Sequence, residues 1–186
     1  ELPIAEAAAA NITGSLNMLS LAKRCTNLKS MVSVSTAFVT PHVEDGAPVP
    51  EALAALPAPA EDIYRSILDG TADEKALLKS AGLPNTYTFT KNVAEHLLME
   101  RREHVPLTIV RPSMVSACLE HPFPGWIDSP SGFAGFVALC VTSDDQARRN
   151  HLPAFTGQVD AVERAVNDTV HADRECIGKT VHIYHV

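Results

Sequence analysis

Tyr87 and Lys91 stand four residues apart in Tyr87-Thr88-Phe89-Thr90-Lys91. On a helix this spacing places a phenol and an ammonium on one face, one turn apart. A phenol ionises near pH 10, so at neutral pH it is a weak base but a usable acid. A neighbouring cation favours the phenolate and is expected to draw that pKa down toward the working range. A helix start near Asn85 adds the positive end of a dipole. The pair suits proton delivery to a carbonyl oxygen while hydride arrives at its carbon. The spacing alone is weak, because an exposed helical pair also satisfies it.

A second set of hydroxyls strengthens the reading. Ser33, Ser35 and Thr36 end an apolar, β-branched run, Met31 to Val39 (MVSVSTAFV), which reads as a buried strand. Ligands of open parallel sheets bind beyond the carboxyl ends of the strands. A hydroxyl there can donate to a developing oxyanion. Thr36 is the first candidate and Ser35 the second; Ser33 reads as a core hydroxyl bonded to backbone.

The elements that must position these groups follow from periodicity and punctuation. Pro3 to Cys25 reads as a helix with Ile12, Leu16, Leu19 and Ala22 on its apolar face. Five prolines between 41 and 61 predict a loop containing a short helix. Helical stretches over 62–81 stop at Gly82. Leu83-Pro84-Asn85-Thr86 offers a start signal for a helix reaching about Glu103 and burying Val93, Ala94, Leu97 and Leu98. Leu107 to Val110 reads as a second buried strand, 133–140 and 161–172 as helices, and Val181 to Val186 as a strand. Residues 119–132 form a Pro/Gly loop, and 142–157 is polar and irregular. Alternating helices and apolar strands predict an α/β fold with a parallel sheet.

Bulk properties exclude other classes. The 186 residues suffice for one domain with a core. A net charge of −7 with scattered Lys and Arg argues against nucleic-acid binding. The four cysteines contain no CxxC and the eight histidines no HExxH, so no metal site is expected. The cysteine spacing suggests a reduced, intracellular protein. No stretch approaches the roughly 20 apolar residues of a membrane span.

Asn11-x-x-Gly14, the strand ending in Ser35-Thr36, Tyr87-x-x-x-Lys91 and Val110-Arg111-Pro112-Ser113 occur in the order seen in extended short-chain dehydrogenases/reductases. More specifically, the chain resembles fatty acyl-CoA reductases. That resemblance rests on Val34-Ser35-Thr36-Ala37-Phe38, on Pro84 through Lys91 with Ala94-Glu95, on Ile109 through Ser113, and on Pro122-Phe123-Pro124-Gly125-Trp126-Ile127-Asp128. It covers residues 5–140 well.

The resemblance implies a Rossmann-like, doubly wound parallel sheet and a role for each matched residue. Tyr87 would donate the proton. Lys91 would hold the nicotinamide ribose and tune Tyr87, and Thr36 or Ser35 would orient the substrate carbonyl. Pro112 and Ser113 would line the nicotinamide pocket, and Asn11 would shape the site from the preceding helix or act as a cap. Trp126 would wall an acyl channel or anchor its loop. The implied cofactor is NADPH and the implied substrate a long-chain acyl-CoA, reduced through an enzyme-bound aldehyde to the primary alcohol. The implied location is the cytosolic face of an endoplasmic reticulum or peroxisomal membrane, with membrane association through regions not in this chain.

None of the nine glycines makes the Gly-x-x-Gly-x-x-Gly turn that grips the pyrophosphate in such proteins. Residues 1–186 are therefore expected to be the C-terminal, catalytic part of a single NAD(P)-binding reductase domain, without its first strands and glycine-rich turn. Residues 41–60 and 142–170 also depart from the family pattern. Alternative readings are another extended reductase acting on a carrier-bound thioester, a nucleotide-sugar enzyme, or a truncated non-catalytic copy.

Overall fold

A computed structural model describes residues 2–41, 47–113, 115, 118 and 122–126, together with the backbone of 182–185. The predicted helices over 133–140 and 161–172 lie outside the described residues.

The first helix is one continuous rod in three parts: α1 (Ile4–Ala8), a π-helical turn (Ala9–Thr13) and α2 (Gly14–Lys23). Its predicted apolar face is the one that packs, with Ile12, Leu19 and Ala22 buried and Leu16 partly so. The π-turn was not visible in the periodicity, because it widens the ladder without changing which residues are apolar.

Strand β1 (Met31–Val34) is shorter than expected and is not buried. Val34 is 48% exposed, and Ser33 is half-buried rather than a core hydroxyl. The outer edge of β1 borders a groove of about 700 Å³ lined by residues including Gly14, Met18, Leu21, Met31 and Ser33. Beyond Val34 the chain gives way to a turn that starts at Thr36. The Thr36 Oγ1 accepts from Phe38 N–H and caps a 3-10 turn, Ala37–Val39.

The described part of the proline-rich segment contains no helix before α3 (Ala60–Leu68), which begins directly after Pro59. Helix α4 (Glu74–Ala81) is capped by Asp73 and ends on Gly82, whose φ of 66° is the left-handed stop that glycine adopts without strain. Helix α5 (Thr86–Arg101) follows, with Phe89, Val93, Ala94, Leu97 and Leu98 buried.

Strand β2 (Leu107–Arg111) is buried at every position, and β3 is His182–His185. The sheet runs β1-β2-β3, parallel throughout, with Val34 opposite Val110 and Arg111 opposite His185. Burial on both faces of β2 is the mark of a parallel sheet covered on each side. Leu107 and Ile109 pack against Leu19, Ala22 and Leu98 of α2 and α5. A second cluster joins α1, α3, α4 and the other side of α5 around Ile12, Phe89, Val93 and Leu97. Helix α5 is thus held between the sheet and α3–α4, a Rossmann-like arrangement. None of the described helices is long and apolar enough to cross a membrane.

Candidate active site

The start of α5 is set by Asn85, whose side-chain oxygen accepts from Thr88 N–H at 2.8 Å. This satisfies one of the helix's orphan donors and puts Tyr87 in the first turn, within the positive end of the dipole. Tyr87 is 47% exposed although its helix is otherwise deeply packed. One turn on, Lys91 Nζ lies 6.0 Å from the Tyr87 ring centroid and donates to the Val34 carbonyl at 3.1 Å. The ammonium therefore bridges α5 and the carboxyl end of β1. The spacing of these two residues was read correctly as a shared helical face.

The electrostatics differ from the expectation drawn from spacing. Burial pushes the Tyr87 phenol above its ordinary range. Burial also pulls Lys91 below the usual lysine value, with the nearby Glu95 carboxylate opposing that loss of charge. The ammonium is turned toward a backbone carbonyl, so desolvation outweighs its pull on the phenol. The resting site therefore holds Tyr87 protonated, the form a proton donor needs.

Ser35 and Thr36 are both buried where β1 ends. Ser35 N–H donates to the Val110 carbonyl at 2.7 Å, and Ala37 N–H to the Pro112 carbonyl at 2.9 Å, so the two strand ends are laced together. The Thr36 Oγ1 lone pair is occupied by Phe38 N–H at 3.3 Å, which leaves its own proton free to donate. The Ser35 hydroxyl is buried and has no partner among the described residues. Either can serve an oxyanion, and their order of preference rests on which proton reaches it.

Pro112 is buried and Ser113 half-buried directly after β2, across the strand ends from Lys91. Asn11 sits in the π-turn, and its side-chain nitrogen donates to Thr90 Oγ1 at 3.0 Å. It is no cap: the helix runs straight through it, and its amide ties the first helix to α5 beside Lys91. Such π-turns recur at functional sites. Gly125, at φ 84°, turns the Pro122–Trp126 loop, which closes through Cys118 N–H to the Trp126 carbonyl at 2.8 Å. Trp126 is half-buried, and Phe123 is exposed.

The sequence reading missed one feature. Arg111, at the end of β2, donates through Nε to Glu95 Oε1 at 2.9 Å and through Nη2 to the other oxygen. The signal was present as Glu95 four residues after Lys91, and as an arginine ending an apolar strand. Among the described residues no group of His, Cys, Asp and Glu could hold a metal ion.

Comparison with known proteins agrees with this geometry. The family described as Male sterility protein, a family of NAD-binding domains, matches residues 1–163. The chain is similar to Fatty acyl-CoA reductase wat of Drosophila melanogaster, 34% identical over 157 residues, covering 78% of this chain and 29% of that protein. It is similar to Fatty acyl-CoA reductase 2 of Mus musculus, 32% identical over 135 residues, covering 71% of this chain and 26% of that protein. It is also similar to Probable fatty acyl-CoA reductase 5 of Arabidopsis thaliana, 34% identical over 212 residues, covering 95% and 41%. The chain thus spans between about a quarter and two fifths of these relatives. With its parallel sheet and its Tyr87–Lys91 helix, the chain belongs to the Male sterility protein family of NAD-binding, Rossmann-like domains.

Proposed function

We propose that this chain carries the proton-transfer half of a reductase site that converts long-chain fatty acyl-CoA to the primary alcohol with NADPH, through an enzyme-bound aldehyde. The observation that carries the reading is the Lys91 ammonium on the Val34 carbonyl, with Tyr87 one turn before it and the Ser35 and Thr36 hydroxyls where the strand ends. The relatives are named for fatty acyl-CoA reduction, which supports the substrate class.

The residues fit the nicotinamide end of a dinucleotide. Lys91 spends one N–H on Val34 and keeps others for a ribose hydroxyl, and the next residue, Ser35, carries a buried hydroxyl with no partner among the described residues. Two NADPH molecules, the second replacing the spent NADP+ of the first, would each supply one hydride, the first to the thioester carbon and the second to the aldehyde carbon. Thr36 and Tyr87 donate hydrogen bonds to the oxyanion of the hemithioacetal. Collapse of that oxyanion expels the coenzyme A thiolate and leaves the aldehyde. In the second reduction Tyr87 gives its proton to the alkoxide, while Lys91 offsets the charge left on the phenol. Pro112 and Ser113 wall the nicotinamide side, Asn11 holds the first helix against α5, and Trp126 closes the acyl side.

We further propose that the protein works at the cytosolic face of an endoplasmic reticulum or peroxisomal membrane, which fractionation would check. The functional test is palmitoyl-CoA-dependent oxidation of NADPH by the longest natural polypeptide that carries this chain, with NADH as the comparison. Turnover with NADPH and recovery of hexadecanol support the reading. No acyl-CoA-dependent oxidation with either nucleotide would overturn it.

A further inference from the structure

Tyr87, Lys91 and Glu95 follow one another at intervals of four on α5. The Lys91 ammonium reaches across to β1, and the Glu95 carboxylate reaches across to β2. Glu95 is held by two of the three guanidinium nitrogens of Arg111, and the two side chains are 2% and 0% exposed. The third nitrogen, Arg111 Nη1, is buried with no partner among the described residues. A buried ion pair with an unsatisfied arm is poor value as a source of stability, since apolar side chains of similar volume would hold the same elements together as well. Its placement at the strand end next to Lys91 gives it a different use.

We propose that Glu95, fixed by Arg111, is a positioning residue that keeps the Lys91 ammonium charged and seated on the Val34 carbonyl, so that α5 and the ends of β1 and β2 present Lys91, Thr36 and Ser113 as one rigid unit. This rests on the reductase reading for its consequence in turnover, but not for its effect on Lys91 itself. The other charged groups on the elements packed against α5 are engaged elsewhere or face solvent. Glu61 binds Arg101, Glu74 accepts from Ile4 N–H, and Lys23 binds Glu103. Glu6, Asp62, Arg65, Lys75 and Lys79 are exposed. Among the described residues, Glu95 is the one carboxylate whose field bears on Lys91, and it opposes the desolvation that would strip the proton. Arg111 pins that carboxylate so that it cannot turn to take Lys91 away from Val34.

The test is the reactivity of Lys91 toward acetic anhydride across pH, read by mass spectrometry, in the longest natural polypeptide carrying the chain. Glu95→Gln removes the carboxylate and leaves the Arg111 cation; Glu95→Met/Arg111→Met removes both charges and keeps the packing. Lys91 is expected to be acetylated about tenfold faster at pH 8 in the double variant, as one unit of pKa produces, and faster still in Glu95→Gln. Either variant that melts cooperatively decides the matter: a Lys91 rate within about twofold of wild type overturns the proposal. The same variants are expected to lose kcat with palmitoyl-CoA by about tenfold while KM for the thioester stays within about threefold. Wild-type protein without NADPH turnover would sink the functional reading and leave the labelling comparison to decide this one.

Discussion

Replacing Arg111 by methionine perturbs the most deeply buried charge described in the chain, and the structure fixes the size of the effect. Both side chains of the Arg111–Glu95 pair are out of water, and each carboxylate oxygen accepts one guanidinium N–H. Removing one partner leaves the other charge buried and uncompensated, which costs about 3–5 kcal/mol. That is a large share of the roughly 5–15 kcal/mol that holds a domain folded. The two single changes should not be equal. After Arg111→Met, Glu95 still feels the Lys91 cation; after Glu95→Met, Arg111 keeps a buried charge with no counter-ion among the described residues. Glu95→Met should therefore unfold at the lower urea concentration. The double methionine variant should recover to within about 1 kcal/mol of wild type, because two volume-matched apolar side chains replace a pair whose desolvation was never fully repaid. Equilibrium urea unfolding followed by circular dichroism measures all four corners of this cycle. Additive losses, with the double variant as unstable as the two singles summed, would refute the reasoning, since coupling is what a shared ion pair requires.

Three further outcomes follow from the same geometry. Asn85→Ala removes the cap on Thr88 N–H and should cost about 1 kcal/mol of stability by urea unfolding; a neutral result would mean that the start of α5 is fixed by packing alone. The alkaline limb of kcat/KM should lie below the usual lysine range and report Lys91, because burial lowers that ammonium while it raises the Tyr87 phenol. Lys91→Arg should move that limb to higher pH, and a limb that stays in place would assign it to another group. Calorimetric titration of residues 1–186 with NADPH should show binding weaker than micromolar, as no Gly-x-x-Gly-x-x-Gly turn is among the nine glycines; micromolar affinity would contradict it.

What the sequence could reveal depended on how local the cause was. Gly82, Asn85 and the Tyr87–Lys91 spacing are encoded within ten residues of each other, and helix α5 formed where they said it would. The apolar run of β2 was equally legible, because a strand buried on both faces needs no alternation. The length of β1 was not, since Thr36 had a choice between continuing a β-branched run and capping a turn, and only the packing of that turn on α5 settles it. The exposure of Val34 and Ser33 depends on what flanks the sheet edge, which no local pattern records. The raised phenol of Tyr87 follows from burial, and the Glu95–Arg111 pair from α5 meeting β2, contacts between segments that sequence spacing cannot place. Asn11 was legible as a residue of interest but not as a tie to Thr90, for the same reason.

The account turns on Tyr87 as the proton donor of a reductase site, and one substitution tests it. Tyr87→Phe removes the hydroxyl and keeps the ring beside Lys91. In the longest natural polypeptide carrying the chain, palmitoyl-CoA-dependent NADPH oxidation should fall by at least about 100-fold, the scale of a lost general acid, while NADPH affinity by fluorescence titration stays within about threefold. Turnover retained within about tenfold at unchanged cofactor affinity would contradict the assignment.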